Sequence, residues 1–419
     1  MELTVSAQCD LELSNTEKGL ASAAGFYGVV STAIIWGYLS DRFGRRTVML
    51  PSLIISSLTS ILSSFSVNFW MFFILRILVG CLVSASSATI YAYLGELHTL
   101  SHRASAIAWC STFIAITFIW VPSLAWLIIP NTWYFNIGNL RFVSWRLFLF
   151  TFGMSGLIAS GMLYRLPESP SYLLAAHRSD KALAVMAKMY AWNKGTKVED
   201  FPVKSLSTAG PPPNNFLMSL KNMSYLTRPP LLRCVILSHL CMFSFISLQE
   251  FYFLRSAGCP VTINTQIYPL SIIVGVLCGA TYVAIGYVIG KICKRKLFMS
   301  VSLICGILLS VSAIIAQPHV ALFLFAVGLS VGCSASVLAA ATVEVFPTNI
   351  RALAVCTLYM AGRLGAAVGA NILAIGLQEH CELTILSMCL VTVGFTLLIL
   401  LWPDPAKVRI EMEENGFVY

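Results

Sequence analysis

The ten residues Gly37-Tyr38-Leu39-Ser40-Asp41-Arg42-Phe43-Gly44-Arg45-Arg46 decide the fold. They set a knot of charge between two apolar runs, 19–39 and 47–66. About 20 apolar residues in a helix cross a hydrocarbon core of about 30 Å, so two such runs joined by a short charged loop read as a pair of membrane-spanning helices. Runs of the same kind recur at 69–95, 104–129, 146–165, 231–254, 269–290, 297–316, 320–343, 352–377 and 384–402, eleven spans in all. They are continuously apolar and lack the two-residue alternation of a membrane barrel. Composition agrees: 58% of residues are hydrophobic and 11% charged, where a soluble domain carries about 25% charged residues. The expected class is an all-α polytopic membrane protein.

Lys and Arg collect on the cytoplasmic side of membrane proteins. If the loop holding Arg42, Arg45 and Arg46 is cytoplasmic, alternation of the spans places 21 of the 27 basic residues on that side. Lys18, Arg141, Arg146 and Arg255 fall outside, and Arg76 and Arg363 lie within spans. The C-terminus is then cytoplasmic. This placement accounts for the net charge of +9 without nucleic acid, for which no recognition motif is present. Of the thirteen cysteines, Cys9, Cys259 and Cys381 fall on the outer side and could form a bridge. The first 18 residues are polar, so no cleavable signal peptide is visible.

The decisive stretch has a degenerate echo, G-Y-V-I-G-K-I-C-K-R at 286–295, offset by 249 residues. A second pair is cleaner: E-L-H-T-L-S-H-R-A at 96–104 matches E-V-F-P-T-N-I-R-A at 344–352, offset 248, and Val79-Gly80 matches Val327-Gly328. Three matches in register mark two copies of one unit, inserted in the same orientation. Residues 1–165 form the first membrane half, 166–230 a polar central loop, 231–402 the second half, and 403–419 a cytoplasmic tail. The span at 231–254 opens the second half, and the offset places its counterpart upstream of Met1. Eleven spans are expected where twelve would complete the two copies, as in a short isoform, an incomplete gene model or a protein that functions with eleven.

The loop at 37–46 resembles the signature between helices 2 and 3 of the major facilitator superfamily. Arg76 with Gly80 resembles the R-x-x-x-G of its helix 4, and P-E-S-P-S-Y-L at 167–173 resembles a motif shared by several of its branches. C-D-L-E-L-S followed by K-G at 9–19, A-W-L-I-I-P at 125–130 and S-W-R-L-F at 144–148 are most similar to the synaptic vesicle glycoprotein 2 group. The loop at 255–268 is short and carries no glycosylation sequon, so the chain resembles a divergent relative of that group. The resemblance implies a major facilitator fold of two parallel helical bundles, with helices 2–6 in the first half and 7–12 in the second.

It also implies a cytoplasmic gate of Gly37, Asp41, Arg42, Arg45 and Arg46, with Arg76, Glu96 and Arg103 assigned to it and Glu344 and Arg351 as the charge pair of the second copy. From the residues themselves, Gly37 would let two helices approach closely, and Asp41 can pair with Arg45 at a helix end. A charge within a span is costly and reads as functional by default. Arg363 could bind an anionic group of a substrate, and Glu250, with Gln249 beside it, could couple to a proton or another cation. Tyr91, Tyr93, Trp109, Trp120 and Tyr359 are candidates for the lining of a central cavity. No metal cluster, nucleophile–base set or Walker loop appears, so no cofactor, no enzyme activity and no ATP drive are expected. The expected function is secondary transport of a small organic solute across a plasma or vesicle membrane, with a proton or sodium ion as a candidate coupling ion. The alternative is a non-transporting protein that keeps the scaffold for vesicle regulation.

Overall fold

The computed structural model describes residues 10–131, 134–138, 140–206, 231–249, 267–288, 333–345 and 348–379, with isolated positions at 7, 297, 300–305, 307–308, 311, 324, 387, 390–391, 393–394, 397 and 408. Within them run α1 (Asn15–Phe43), α2 (Arg45–Ser63), α3 (Phe69–Leu97), α4 (Leu100–Ile128), α5 (Ser144–Tyr164), α6 (Pro170–Ala175), α7 (Ser179–Lys194), α8 (Leu231–Gln249), α9 (Ile267–Val288), α10 (Cys333–Val345) and α11 (Thr348–Glu379). The spans expected at 297–316 and 384–402, the tail, and Cys9, Cys259 and Cys381 lie wholly or mostly outside the described residues. Below, "inner" means the end carrying Asp41 and Arg45, and "outer" the other.

The helices overrun the apolar runs because polar residues cap them. Ser14 and Glu17 form a reciprocal capping box, the Ser14 amide donating to Glu17 at 2.8 Å, so α1 begins four residues before its apolar run. Asn68 accepts from the Met71 amide at 2.8 Å and starts α3. Between α1 and α2 the chain turns on Gly44, whose φ of 107° disfavours any side chain. Four elements were not expected. A two-stranded antiparallel hairpin, β1 (Phe135–Ile137) with β2 (Leu140–Phe142), covers the outer loop, and the central loop carries α6 and α7.

The surface of α2 shows which solvent the protein is built for. Its Ser52, Ser56, Ser57, Ser60 and Ser63 are buried, while Ile54, Ile55, Leu58 and Leu62 point outward. The inward hydroxyls bond back to the helix, Ser52 to the Met49 carbonyl at 2.9 Å and Ser57 to the Leu53 carbonyl at 2.7 Å. Small residues inside and aliphatic ones outside invert the soluble pattern and suit lipid. The helix pairs follow the same logic. Gly28 and Gly80 seat α1 on α3 so closely that a β-carbon on either would strike the other helix's backbone. Gly37, expected to serve this role, has nothing within 4 Å of such a carbon; its position on the helix does not face the crossing.

The two halves meet along two seams, α1 on α11 and α4 on α9. The sequence offset maps α1 onto α9 and α4 onto α11, so it exchanges one seam for the other. That exchange is what an axis along the membrane normal between parallel repeats requires. In the α4 seam, Pro122 cannot donate to the Phe118 carbonyl, and Gly275 of α9 lies against that carbonyl.

At the outer end a cluster of Leu11, Leu13, Phe69, Phe72, Ile128, Trp145, Phe148 and Leu149 is buried, and Tyr268 of α9 enters it from the second half. Arg146, beside it, is 3% exposed. Its guanidinium donates to the Ser64 and Ser66 carbonyls at 3.0 and 2.6 Å and to Asp10 at 2.7 Å. The indole N–H of Trp145 also donates to Asp10, at 3.1 Å. This clasp ties the segment before α1 to α5 and to the α2–α3 turn.

Candidate functional site

The inner end of the first half gathers three segments far apart in sequence. Arg45, first residue of α2, is ion-paired to Asp41 at the end of α1 and reaches Glu96 of α3 at 2.8 Å. Its Nε donates to the same carboxylate at 3.2 Å. Glu96 also accepts from the Ser169 hydroxyl, which caps α6 through the Tyr172 amide at 3.2 Å. Arg45 and Glu96 are largely buried, at 13% and 19% exposure, and Asp41 is half exposed. Partial burial strengthens such charge-assisted bonds relative to water.

Glu168 was not foreseen as part of this site. Its carboxylate accepts from the Arg46 and Thr47 amides, each at 3.0 Å, and from the Thr47 hydroxyl at 3.0 Å. These are first-turn donors of α2, whose own cap, Gly44, has no side chain to offer. A residue 122 positions away therefore caps the helix. A β-carbon at Gly44 would come within 2.6 Å of that carboxylate, a second demand for glycine there. The surrounding bonds pin the rest: Arg46 to the Tyr164 carbonyl at 2.6 Å, Tyr93 to the Pro167 carbonyl at 2.5 Å and Tyr172 to the Arg42 carbonyl at 3.1 Å. Arg42 itself donates to the Tyr38 hydroxyl at 3.2 Å and lies over the Phe43 ring, 5.4 Å from its centroid.

Replacing Glu168 by Gln should remove an anion from a helix N-terminus and cost about 1 kcal/mol. Thermal unfolding of the purified protein would show a midpoint a few degrees lower. An unchanged midpoint would mean that the cap carries no net stability.

The cluster faces the second half. Cys356 of α11 lies within electrostatic reach of both Asp41 and Arg45. One turn deeper, Tyr91 of α3 and Tyr359 of α11 stack across the halves, with ring centroids 5.4 Å apart and planes within 1° of parallel. Tyr359 also hydrogen-bonds Tyr91 and is reached electrostatically by Tyr282 of α9 and by Arg363. Arg363 stands midway along α11, its guanidinium 5.9 Å from the Phe26 ring of α1.

Other expected site residues fall elsewhere. Arg76 lies in the outer third of α3, far from the gate residues it was grouped with. It lines a cavity of about 450 Å³ among α2, α3, α4 and α5, with Ser56, Ser57, Ser60 and Thr117. Tyr93 braces the start of the central loop, and Trp120 is 58% exposed on the outside of α4; neither lines the space between the halves. Trp109 meets Tyr287 edge-on at 5.2 Å in the α4–α9 seam. Arg103, Glu344 and Arg351 are placed in the first turn of α4, in α10 and in the first turn of α11, and Gln249 ends α8, but their side chains lie outside the described set. Glu250 lies outside the described residues.

The sequence profile of the Major Facilitator Superfamily matches residues 4–370. Synaptic vesicle glycoprotein 2A of Rattus norvegicus is 31% identical over 208 residues, which are 48% of this chain and 28% of that protein. Synaptic vesicle glycoprotein 2B of the same organism is 31% identical over 208 residues, 48% of this chain and 30% of that one. The chain thus spans less than a third of the length of these curated relatives. Among solved structures, that of a D-xylose-proton symporter superposes with a TM-score of 0.69 at 18% identity, covering 97% of this chain and 95% of that one. A partially occluded, inward-open form of the xylose transporter XylE from E. coli gives 0.68 at 17% identity, covering 96% and 94%. These likenesses establish the fold.

Proposed function

This chain belongs to the Major Facilitator Superfamily, and we propose that it carries a small organic solute across a membrane by alternating access of its two halves. The observation that carries this reading is Arg45 bridging Asp41 and Glu96 beside α11. A static scaffold gains little from largely buried charges, because desolvation offsets most of their attraction. A gate gains from them, since the bonds hold one state and are released in the other. The two seams that the repeat exchanges supply the surfaces on which the halves would rock. The solute would bind between the halves near mid-membrane, driven by its own gradient or by a proton or sodium ion. The vesicle relatives support an intracellular vesicle membrane as the location, and the Lys/Arg bias of the loops supports a cytoplasmic C-terminus.

The test is uptake by proteoliposomes of a labelled monosaccharide, an organic cation and an aromatic carboxylate, with Asp41→Asn alongside. The substituted amide would keep the shape of the carboxylate and weaken one charge-assisted bond by about 1.5 kcal/mol, so turnover should change about tenfold. If no member of the panel crosses faster than in protein-free vesicles, and the variant behaves identically, the non-transporting reading stands instead.

A further inference from the structure

Arg363 makes no ion pair or hydrogen bond among the described residues. It stands at the middle of a membrane-spanning helix, where a cation is expensive unless something answers its charge. The gate carboxylates do not answer it: Asp41 and Glu96 are both bound to Arg45 at the inner end. The groups placed near it among the described residues are aromatic. Phe26 lies under the guanidinium, Tyr359 is one turn away and stacked on Tyr91, and Tyr282 closes the group from α9. Four helices, two from each half, bring these groups together at the place where parallel repeats hold their solute. Tyr91, Tyr359 and Arg363 are each partly accessible, whereas Tyr282 is buried behind them.

Resting on the transport reading above, we infer that the solute is an organic carboxylate with a flat, apolar body. Its charge pairs with Arg363, whose planar fork matches a carboxylate's two oxygens. Its body lies against the stacked pair of Tyr91 and Tyr359, which an aromatic ring extends by offset stacking. A polyhydroxylated solute calls for amide and carboxylate partners around it; among the described residues the amide of this seam, Asn371, already donates to the Tyr27 hydroxyl at 3.2 Å. A cationic solute would meet Arg363 as a like charge.

The test uses the whole chain in lipid nanodiscs and three probes of one shape: 2-naphthoate, 2-naphthamide and 2-naphthylmethylammonium. Equilibrium binding should favour the carboxylate at least tenfold over the other two. Arg363→Gln should erase that preference, and Arg363→Lys should keep part of it, which separates loss of charge from loss of fold. Tyr91→Leu should weaken 2-naphthoate several-fold while leaving acetate unchanged. Equal binding of the three probes, or an unchanged preference in Arg363→Gln, would overturn the inference. Uptake in the same preparation separates the two readings. Naphthoate that binds with the expected preference but does not cross keeps the site and sinks transport. Crossing of a neutral solute with no binding preference keeps transport and sinks the site.

Discussion

Arg45→Ala is expected to cost the inner gate about 3 kcal/mol and to shift the balance of inward- and outward-facing forms by about a hundredfold. The figure follows from what the change leaves behind. Glu96, 19% exposed, loses its guanidinium bonds and keeps the Ser169 hydroxyl. Asp41 loses its partner but is half exposed, so water replaces most of that interaction. Most of the effect therefore comes through Glu96. Arg45→Lys should recover less than half of it, because one ammonium cannot span Asp41 and Glu96 as the guanidinium does. Modification of a cysteine placed at Tyr359, by a thiol reagent supplied from the inner side, reads the shift directly. Faster labelling in Arg45→Ala is expected; equal labelling in both would mean that the pair does not hold the gate.

Arg146→Ala carries the second large effect, on stability. The side chain is 3% exposed and answers two carbonyls and one carboxylate. Its removal leaves the Ser64 and Ser66 carbonyls without this donor and leaves Asp10 with the Trp145 indole alone. Breaking a buried pair of this kind costs about 3–5 kcal/mol. The unfolding midpoint in detergent should fall by about 10 °C, on the scaling of about 2–4 °C per kcal/mol for a unit the size of one membrane half. Arg146→Lys should rescue little. A fall of only a degree or two would show that water enters the clasp and takes over its bonds.

The apolar runs were legible because lipid imposes one rule on every span: α1 to α5, α8, α9 and α11 lie over eight of them, and α10 over the second part of 320–343. The halves were legible because the motif at 96–104 and its copy at 344–352 kept their charges. The Asp41–Arg45 contact could be read since both residues flank one turn. What the sequence hid is long-range or depends on which face of a helix is turned inward. Glu168 caps α2 across 122 residues, and nothing local to either segment announces it. Asp10 and Arg146 meet across 136 residues; as a basic residue on the outer side, Arg146 looked like an exception to a charge rule. Gly37 and Gly28 differ only in where they fall around α1, and only the partner helix reveals which of them is needed. Arg76 shares its type with the gate residues but not their depth.

The central claim is that the two halves rock about their seams, with the Arg45 cluster holding one state. Distances by pulsed electron resonance test it without knowing the solute. Spin labels would be placed in proteoliposomes on one pair of inner helix ends, residues 43 and 350, and one pair of outer ends, residues 129 and 268. Two populations are expected for each pair, with Arg45→Ala moving the inner and outer distances in opposite directions. A single distribution for both pairs, unchanged by the substitution, would contradict the account.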